Sequence, residues 1–293
     1  MGHKGSHFMK VRKDTIVKWL YATPGLAAIS MFLGIPLLLI FWLSLQYMPT
    51  GLSPKFAGVT NFIEVFQLPE LYISIQRSIV YSFTAVFLKA LIGLGVALLL
   101  NQNFTGRGII RGLCLISYAI PAFVCALIFW FVYDYRGTAN AILQVFGLKP
   151  FYWLRYDIAM LSVILVNVWH GWPFFFLGLL AGLQAIPIEL YESASVDGAS
   201  SFVKFKAITL PLLKPVFAIV CGLSLMWTMG DFVIPWMLTG GGPVDATLTV
   251  PIATYKIAFL TRLNIPLAAA YAMTVLPIFL VIIYYIIRQM EVK

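Results

Sequence analysis

Residues 191 to 215 read YESASVDGASSFVKFKAITLPLLKP, and this stretch decides how the chain can be arranged. It contains acids, serines, lysines and a glycine, whereas the segments on both sides are apolar and long enough to cross a bilayer as helices. A polar stretch between two such segments belongs at a membrane surface. The chain is therefore expected to alternate between membrane spans and surface segments.

Residues 187–211 carry the start and stop signals of two helices. The proline at the beginning suits the first turn of a helix, and Gly198 suits the left-handed residue that ends one. Ser200 or Ser201 can cap a second helix, which we expect to end before Leu210-Pro211. The predicted hairpin either rests its apolar face among lipid headgroups or docks against another protein, because the side chains around its turn are small.

The composition is that of a polytopic membrane protein. The 293 residues are 61% hydrophobic and 11% charged, and the mean hydropathy is +0.92, which is outside the range of soluble domains. Six apolar runs are each long enough to cross the hydrocarbon layer as a helix: 18–45, 78–100, 109–132, 158–186, 212–238 and 265–287. We predict an all-α protein of six transmembrane helices in one domain, residues 1–293.

The distribution of charge predicts the orientation. With the amino terminus inside, the cytoplasmic segments hold twelve basic and five acidic residues, and the opposite side holds seven basic and five acidic ones. Cytoplasmic loops are the ones enriched in Lys and Arg, so the tail 1–17, the hairpin and both termini are expected in the cytoplasm. The formal net charge of +9 is thus a signal of topology and does not indicate a nucleic-acid-binding protein.

Three blocks within the hairpin follow a known pattern. Glu192-Ser193-Ala194 is followed by Asp197-Gly198-Ala199 and then by Ile208-Thr209-Leu210-Pro211. Their order and spacing resemble the EAA motif of binding-protein-dependent ABC importer permeases, which reads E-A-A, three residues, G, nine residues, I, any residue, L-P. Ser193 stands where alanine is usual, which exchanges one small side chain for another.

Other segments extend the resemblance over nearly the whole chain. GLLAGLQAIPIELYESA, FAGVTNF and TGGGP resemble the carbohydrate-uptake branch of these permeases, and within it the larger-type partner of a heteromeric pair. The resemblance implies a type I ABC importer permease fold in which the hairpin is the coupling helix. The coupling residues that it implies are Glu192, Ser193, Ala194, Asp197, Gly198, Ala199, Leu210 and Pro211.

The resemblance also implies partners. They are a second permease subunit, two ATPase subunits that bind ATP and Mg, an extracytoplasmic solute-binding protein and the lipid of a bacterial-type cytoplasmic (inner) membrane. The chain itself has no G-x-x-x-x-G-K-[ST] sequence to hold nucleotide phosphates. It is therefore expected to bind no cofactor and to catalyse no reaction.

Three ionisable residues lie at membrane depth, where a charge is costly unless it is paired or hydrated. They are Lys89, His170 and Asp231. Lys89 and Asp231 could pair and only stabilise the bundle, or Asp231 could face a wet pathway. His170 is expected to be a hydrogen-bonded core histidine rather than a metal ligand or a proton relay.

A pathway for sugars needs aromatic rings for the CH faces and polar groups for the hydroxyls. Such mixtures occur around residues 171–173, where a broken helix could expose backbone groups to a cavity, and just before TGGGP. The alternative for each aromatic residue is lipid contact. The substrate-path candidates are Asn167, Trp169, His170, Trp172, Phe176, Trp227, Asp231 and Trp236.

Three functions fit these observations. The first is the permease subunit of an ATP-driven importer for a carbohydrate, which is an oligosaccharide, neutral or anionic, or a sugar or polyol phosphate. The second is a proton-coupled secondary carrier with Asp231 and His170 as the relay. The third is an intramembrane enzyme that uses the same two residues as an acid-base pair, although no activated serine or cysteine stands beside them. The resemblance favours the first.

Overall fold

The computed structural model describes residues 19–48 and 54–290, and the predicted tail 1–17 lies outside them. The described elements are almost entirely helical. They are α1 Trp19–Ser44, β1 Gln46–Tyr47, β2 Lys55–Phe56, α2 Thr60–Gln67, α3 Pro69–Leu100, α4 Arg107–Cys114, α5 Ile116–Ala119, α6 Ala122–Val132, α7 Thr138–Val145, α8 Ala159–Gln184, α9 Ile188–Val196, α10 Ser201–Met229, α11 Val233–Thr239, α12 Val250–Phe259 and α13 Ile265–Met290. The two strands pair antiparallel, with Gln46 opposite Phe56.

Four described helices, α1, α3, α8 and α10, are long and apolar enough to cross a membrane. A fifth crossing is counted if the bent pair formed by α4–α5 and α6 is one span. The sixth predicted span coincides with α13, which has 26 residues, but only its part Ile265–Ile278 enters the described set of apolar helices. The count of six spans stays a prediction.

The predicted third span, 109–132, is not one straight helix. It bends by 88° between Arg107–Ala119 and Ala122–Val132. The bend falls at Ile120, which is extended (φ −75°, ψ 129°) because the ring of Pro121 disfavours the helical region for the residue before it.

The predicted fifth span, 212–238, is wrong at its carboxyl end. The helix stops at Met229, and α11 begins only at Val233. In the break, Asp231 Oδ1 accepts a hydrogen bond from the Ile234 backbone N–H at 3.3 Å. A short polar side chain that bonds the backbone three residues ahead competes with continued helix, and Gly230 beside it is a weak helix former.

The second helix of the hairpin does not end before Leu210-Pro211, contrary to the sequence prediction. It continues as α10 to Met229 and changes to a π-helical turn over Phe205–Thr209. In a regular α-helix the ring of Pro211 would clash with the carbonyl of Ala207. The wider turn lies at this point, with the Leu210 N–H bonded to the Phe205 carbonyl.

The expected break at residues 171–173 is also absent. α8 continues from Ala159 to Gln184 through Pro173. Neighbouring helices can support a proline inside a membrane helix, and here Pro173 is buried in the packed bundle. The polar interruption of the bundle lies in α10–α11 instead.

Two apolar clusters hold α3, α8 and α10–α11 together. One contains Val86, Phe175, Leu179, Leu213 and Val220, and it packs the hairpin half of these helices. The other includes Tyr81, Ala85, Val163, Val166 and Ile234, together with Cys125 from α6. In α8 and in α10–α11, a more polar segment that includes His170 and Asp231 lies between the residues of the two clusters, and Lys89 of α3 lies close to where they meet.

Candidate functional site

A cavity of about 240 Å³ occupies this polar level of the bundle. Its walls come from α3, α8, α10, the α10–α11 break and the bend between α5 and α6. Its volume is just below the range of about 300–1,000 Å³ typical of small-molecule sites. Its polar wall residues include Lys89, Asn167, His170, Thr228 and Asp231.

Asp231 is held by three neutral donors. Its Oδ2 accepts a hydrogen bond from the Tyr81 hydroxyl at 2.6 Å and one from the Asn167 amide at 3.0 Å. Its Oδ1 accepts the Ile234 backbone bond. Hydrogen bonds to an ionised acceptor are about twice as strong as neutral ones, so the arrangement stabilises a carboxylate in a fixed orientation at the cavity wall.

Lys89 lies on the facing helix with 4% of its surface exposed. Its Nζ donates a hydrogen bond to Thr228 Oγ1 at 3.1 Å, and the Thr228 hydroxyl donates to the Ser224 carbonyl at 2.7 Å. The lysine chain passes directly over Gly171. A Cβ at that position would stand 2.9 Å from Lys89 Cε, so any other residue there would require the end of the lysine side chain to shift.

Lys89 and Asp231 do not form the direct ion pair that the sequence left open. Both line the cavity, but neither belongs to an ion pair within 4.0 Å in the described part of the chain. Each charge has its own neutral partners. The locked-pair interpretation therefore lacks the contact on which it depends.

His170 lies at the cavity wall and braces the bend of the neighbouring segment. Its Nε2 is 3.0 Å from the Ile120 carbonyl, at the residue where the helix is interrupted. Its ring centroid is 6.0 Å from that of Tyr118. The hydrogen bond expected from the sequence is present, but the ring is half-buried at the cavity wall and not in the core. The described residues contain no group of three or more His, Cys, Asp or Glu side chains that could hold a metal.

The structure brings together half of the substrate-path candidates. Asn167, His170, Trp227 and Asp231 line the cavity, with the Trp227 ring packed edge-on against Phe174 at 5.0 Å between centroids.

The other four candidates lie elsewhere. Phe176 is fully buried in the cluster that packs α3 against α8, and Trp172 packs against the same cluster. Trp169 packs edge-on against Phe129, and Trp236 stacks on Phe232 at 5.3 Å. None of these four rings lines the cavity in this structure.

Sequence reasoning missed two tyrosines of the site. Tyr81 donates the shortest of the hydrogen bonds that Asp231 accepts, and Tyr118 forms part of the cavity wall. A tyrosine in an apolar run also fits an interfacial belt, so the pattern alone does not single out either one. Tyr118 directly precedes the Ala119-Ile120-Pro121 bend, which is the one local signal that could have marked it.

A larger cavity of about 550 Å³ lies at the carboxyl end of α6, away from these groups. Its walls are mostly aromatic, and its arginine, Arg155, is already bound by both oxygens of Asp157 at 2.7 and 2.6 Å. Lys89, the one charged side chain that is fully buried among the described residues, and the half-buried Asp231 both line the smaller cavity. We therefore regard the smaller cavity as the candidate site.

The hairpin turn has the geometry that its sequence predicts. Gly198 has a φ of +78°, the Ala199 N–H bonds the Ala194 carbonyl at 2.9 Å, and the Gly198 N–H bonds the Ser195 carbonyl at 3.1 Å. These two bonds form a Schellman motif, which ends α9. Ser200 then caps α10 by accepting the Val203 N–H.

Side-chain contacts join the two arms of the hairpin. The Tyr191 hydroxyl lies 2.9 Å from Thr209 Oγ1, and Lys204 Nζ donates to Ser195 Oγ at 2.7 Å. The predicted coupling residues cover the outside: all are exposed except Ala194 and Ala199, which are half-buried. The hairpin is thus a braced unit whose small-residue turn is accessible.

Comparison with known proteins identifies the family of this chain. The family described as "Binding-protein-dependent transport system inner membrane component" matches residues 89–290, which include both the cavity and the hairpin. The trehalose/maltose transport system permease protein MalF of Thermococcus litoralis is 38% identical over 247 residues, 83% of this chain and 84% of that protein. The sn-glycerol-3-phosphate transport system permease protein UgpA of Yersinia pestis is 31% identical over 90% of each chain.

A solved structure shows the same fold. It is the crystal structure of a bacterial ABC transporter involved in the import of the acidic polysaccharide alginate, with a TM-score of 0.79 and 22% identity over 96% of this chain and 98% of that one. The predicted class, a helical ABC importer permease of type I, is confirmed. The chain belongs to the inner membrane components of binding-protein-dependent transport systems.

Proposed function

We propose that this chain is the permease subunit of an ATP-driven importer for a carbohydrate, and that it forms half of the translocation pathway. Family membership supports the transport role. The relatives named for trehalose/maltose and for sn-glycerol 3-phosphate support a saccharide or polyol as the substrate class. The observation that carries the proposal is the physical connection between the hairpin and the cavity.

That connection is α10, one helix from the hairpin turn to the cavity. It has 29 residues, which span about 43 Å at 1.5 Å per residue. Its first turn is tied to α9 by the bond from Lys204 to Ser195, and its π-helical turn is tied by the contact of Thr209 with Tyr191. Its last turn places Thr228 at the cavity, just before the Asp231 break. A displacement of the hairpin is thus transmitted along a rigid element to the groups that line the cavity.

The cavity has the chemistry of a sugar pathway. Asp231 and Thr228 offer acceptors for hydroxyl groups, His170 and Lys89 offer polar nitrogen atoms, and the Trp227 ring offers an apolar face. Tyr118 and Trp227 are 41% and 56% exposed in the single chain. The cavity is thus open at its side, where a second permease subunit would complete it.

The remaining parts of the proposed system lie on other chains. ATP and Mg bind to two ATPase subunits, one of which receives the hairpin through Glu192 and the turn at Gly198. A solute-binding protein delivers the substrate from outside, and this chain catalyses no reaction. Both termini and the hairpin face the cytoplasm, as the bias of basic residues indicates. ATP-driven closure of the ATPase pair draws the hairpins together and turns the cavity outward.

Reconstitution tests the proposal. Vesicles that contain the complete importer should accumulate a radiolabelled sugar only when ATP, the ATPase subunits and the binding protein are all present. A proton-dissipating agent should leave this uptake unchanged. Uptake by the chain alone, driven by a pH gradient, would instead establish the secondary carrier with Asp231 and His170.

A further inference from the structure

We infer that the substrate is an acidic saccharide or an acidic polyol, whose negatively charged group binds Lys89 inside the cavity. The inference rests on the proposed function and narrows its substrate class. It starts from an imbalance at the site: the cavity contains a cation with few partners and an anion whose partners are already in place.

The ammonium group of Lys89 uses one of its three donor positions. It bonds Thr228 Oγ1 at 3.1 Å, and it belongs to no ion pair in the described residues 19–48 and 54–290. An ammonium has three donors and no acceptor. Two donor positions therefore remain for water or for a ligand in the cavity that the side chain lines.

Asp231 does not serve as the direct counter-ion. Its Oδ2 is bonded by Tyr81 and Asn167, and its Oδ1 is bonded by the Ile234 backbone. These three donors stabilise its charge without a cation in contact. Burying a charge is unfavourable unless the charge is paired or hydrogen-bonded. Asp231 accepts three hydrogen bonds and the Lys89 ammonium makes one, so the less satisfied group in the cavity is the lysine.

The fold makes room for this ammonium at the cavity wall. Gly171 of α8 faces Lys89, and a Cβ there would come within 2.9 Å of Cε and 3.1 Å of Nζ. A side chain at position 171 would therefore displace the ammonium from its place beside Thr228. The cation is therefore positioned by three separate elements, α3, α8 and α10.

The other wall groups distinguish a saccharide from a bare anion. The carboxylate of Asp231 repels a small inorganic anion, but it accepts hydrogen bonds from hydroxyl groups. Trp227 and Phe174 present aromatic rings for CH faces. A molecule with one acidic end for Lys89 and hydroxyl groups for Asp231 satisfies both walls, whereas a neutral sugar leaves the ammonium without a counter-charge.

The test measures binding to the purified permease–ATPase complex by the ligand-dependent rise of its melting temperature. The probes are matched pairs: glucuronate and glucose, oligogalacturonates and galactose oligomers, glycerol 3-phosphate and glycerol. The variants are Lys89→Met and, as a matched control, Lys149→Met, which removes an exposed lysine from the loop after α7. Gly171→Ala should displace the Lys89 ammonium without removing its charge. This variant provides the test if Lys89→Met does not assemble.

At least one acidic probe should stabilise the wild-type complex more than its neutral match. Its affinity should fall about 10- to 100-fold in Lys89→Met, as expected for the loss of a hydrogen bond to a charged group. It should fall in Gly171→Ala and be unchanged in Lys149→Met. Binding of neutral probes alone, or an acidic probe that binds Lys89→Met as well as wild type, would overturn the inference and leave the proposed function standing. Binding of no probe at all would also overturn the inference, whereas the proposed function is decided separately by ATP-driven uptake in the reconstituted vesicles.

Discussion

Replacing Gly198 by valine should uncouple the hairpin from its ATPase without preventing membrane insertion. Gly198 has a φ of +78°, and a Cβ added there meets no atom within 4 Å. The substitution thus causes no clash inside this chain, and its cost is conformational. A non-glycine residue in the left-handed region costs about 1–2 kcal/mol, and a branched residue is disfavoured further.

This conformational cost predicts how far the affinity for the ATPase should fall. If the ATPase recognises the Schellman turn, the strain of about 1–2 kcal/mol lowers the population of the competent turn, and the apparent affinity falls about 5- to 30-fold. The assay is copurification of the ATPase with the tagged permease from solubilised membranes, titrated with the ATPase. Permease abundance in the membrane is measured in the same samples.

A graded series and a matched control separate turn geometry from general strain. Asparagine tolerates the left-handed region better than alanine or valine, so ATPase binding should decrease in the order Gly, Asn, Ala, Val. Gly106 has a φ of +85° and equally open surroundings, but it lies in the loop before α4, outside the hairpin. Gly106→Val should therefore retain the ATPase. Wild-type binding and uptake by Gly198→Val would refute the coupling role.

Three further predictions concern the cavity. Asp231→Asn should assemble normally but reduce sugar-stimulated ATP hydrolysis. Adding Lys89→Met should not restore this hydrolysis, because the two charges have separate partners. An assembly defect in either single variant that the double variant repairs would instead show a structural pair. Tyr81→Phe removes the 2.6 Å hydrogen bond to Asp231, which lowers the stabilisation of the carboxylate by about 1.5–3 kcal/mol. The variant should insert into the membrane but transport less, and unchanged transport kinetics would count against a role for this hydrogen bond. His170→Ala removes the brace on the Ile120 carbonyl and should lower the melting temperature of the complex, whereas His170→Gln should recover part of it; an effect confined to proton-driven uptake would favour a relay.

The sequence alone determined the features that depend on local properties. Hydropathy summed along the chain identifies the apolar runs, because the free energy of transferring a helix into lipid is roughly the sum of the contributions of its residues. The turn at Gly198 was equally readable, since a single φ angle and two neighbouring carbonyls define it. The motif and its spacing pointed to the family for the same reason: the hairpin is a continuous segment.

Only the tertiary structure decided where the bundle is interrupted and which polar groups meet. Pro173 and Pro121 are both prolines in apolar runs, yet the chain bends at Pro121 and continues through Pro173, which is packed inside the bundle. Whether a helix survives a proline depends on the neighbours that support it. Those neighbours come from distant parts of the chain.

The partners of the buried charges are non-local for the same reason. Tyr81 reaches Asp231 across 150 residues of sequence, and Lys89 reaches Thr228 across 139. The sequence placed one cation and one anion at membrane depth, and it left open whether they pair or whether Asp231 faces a wet pathway. The packing of three helices directs the Lys89 and Asp231 side chains to different neutral partners, so the two charges do not contact each other.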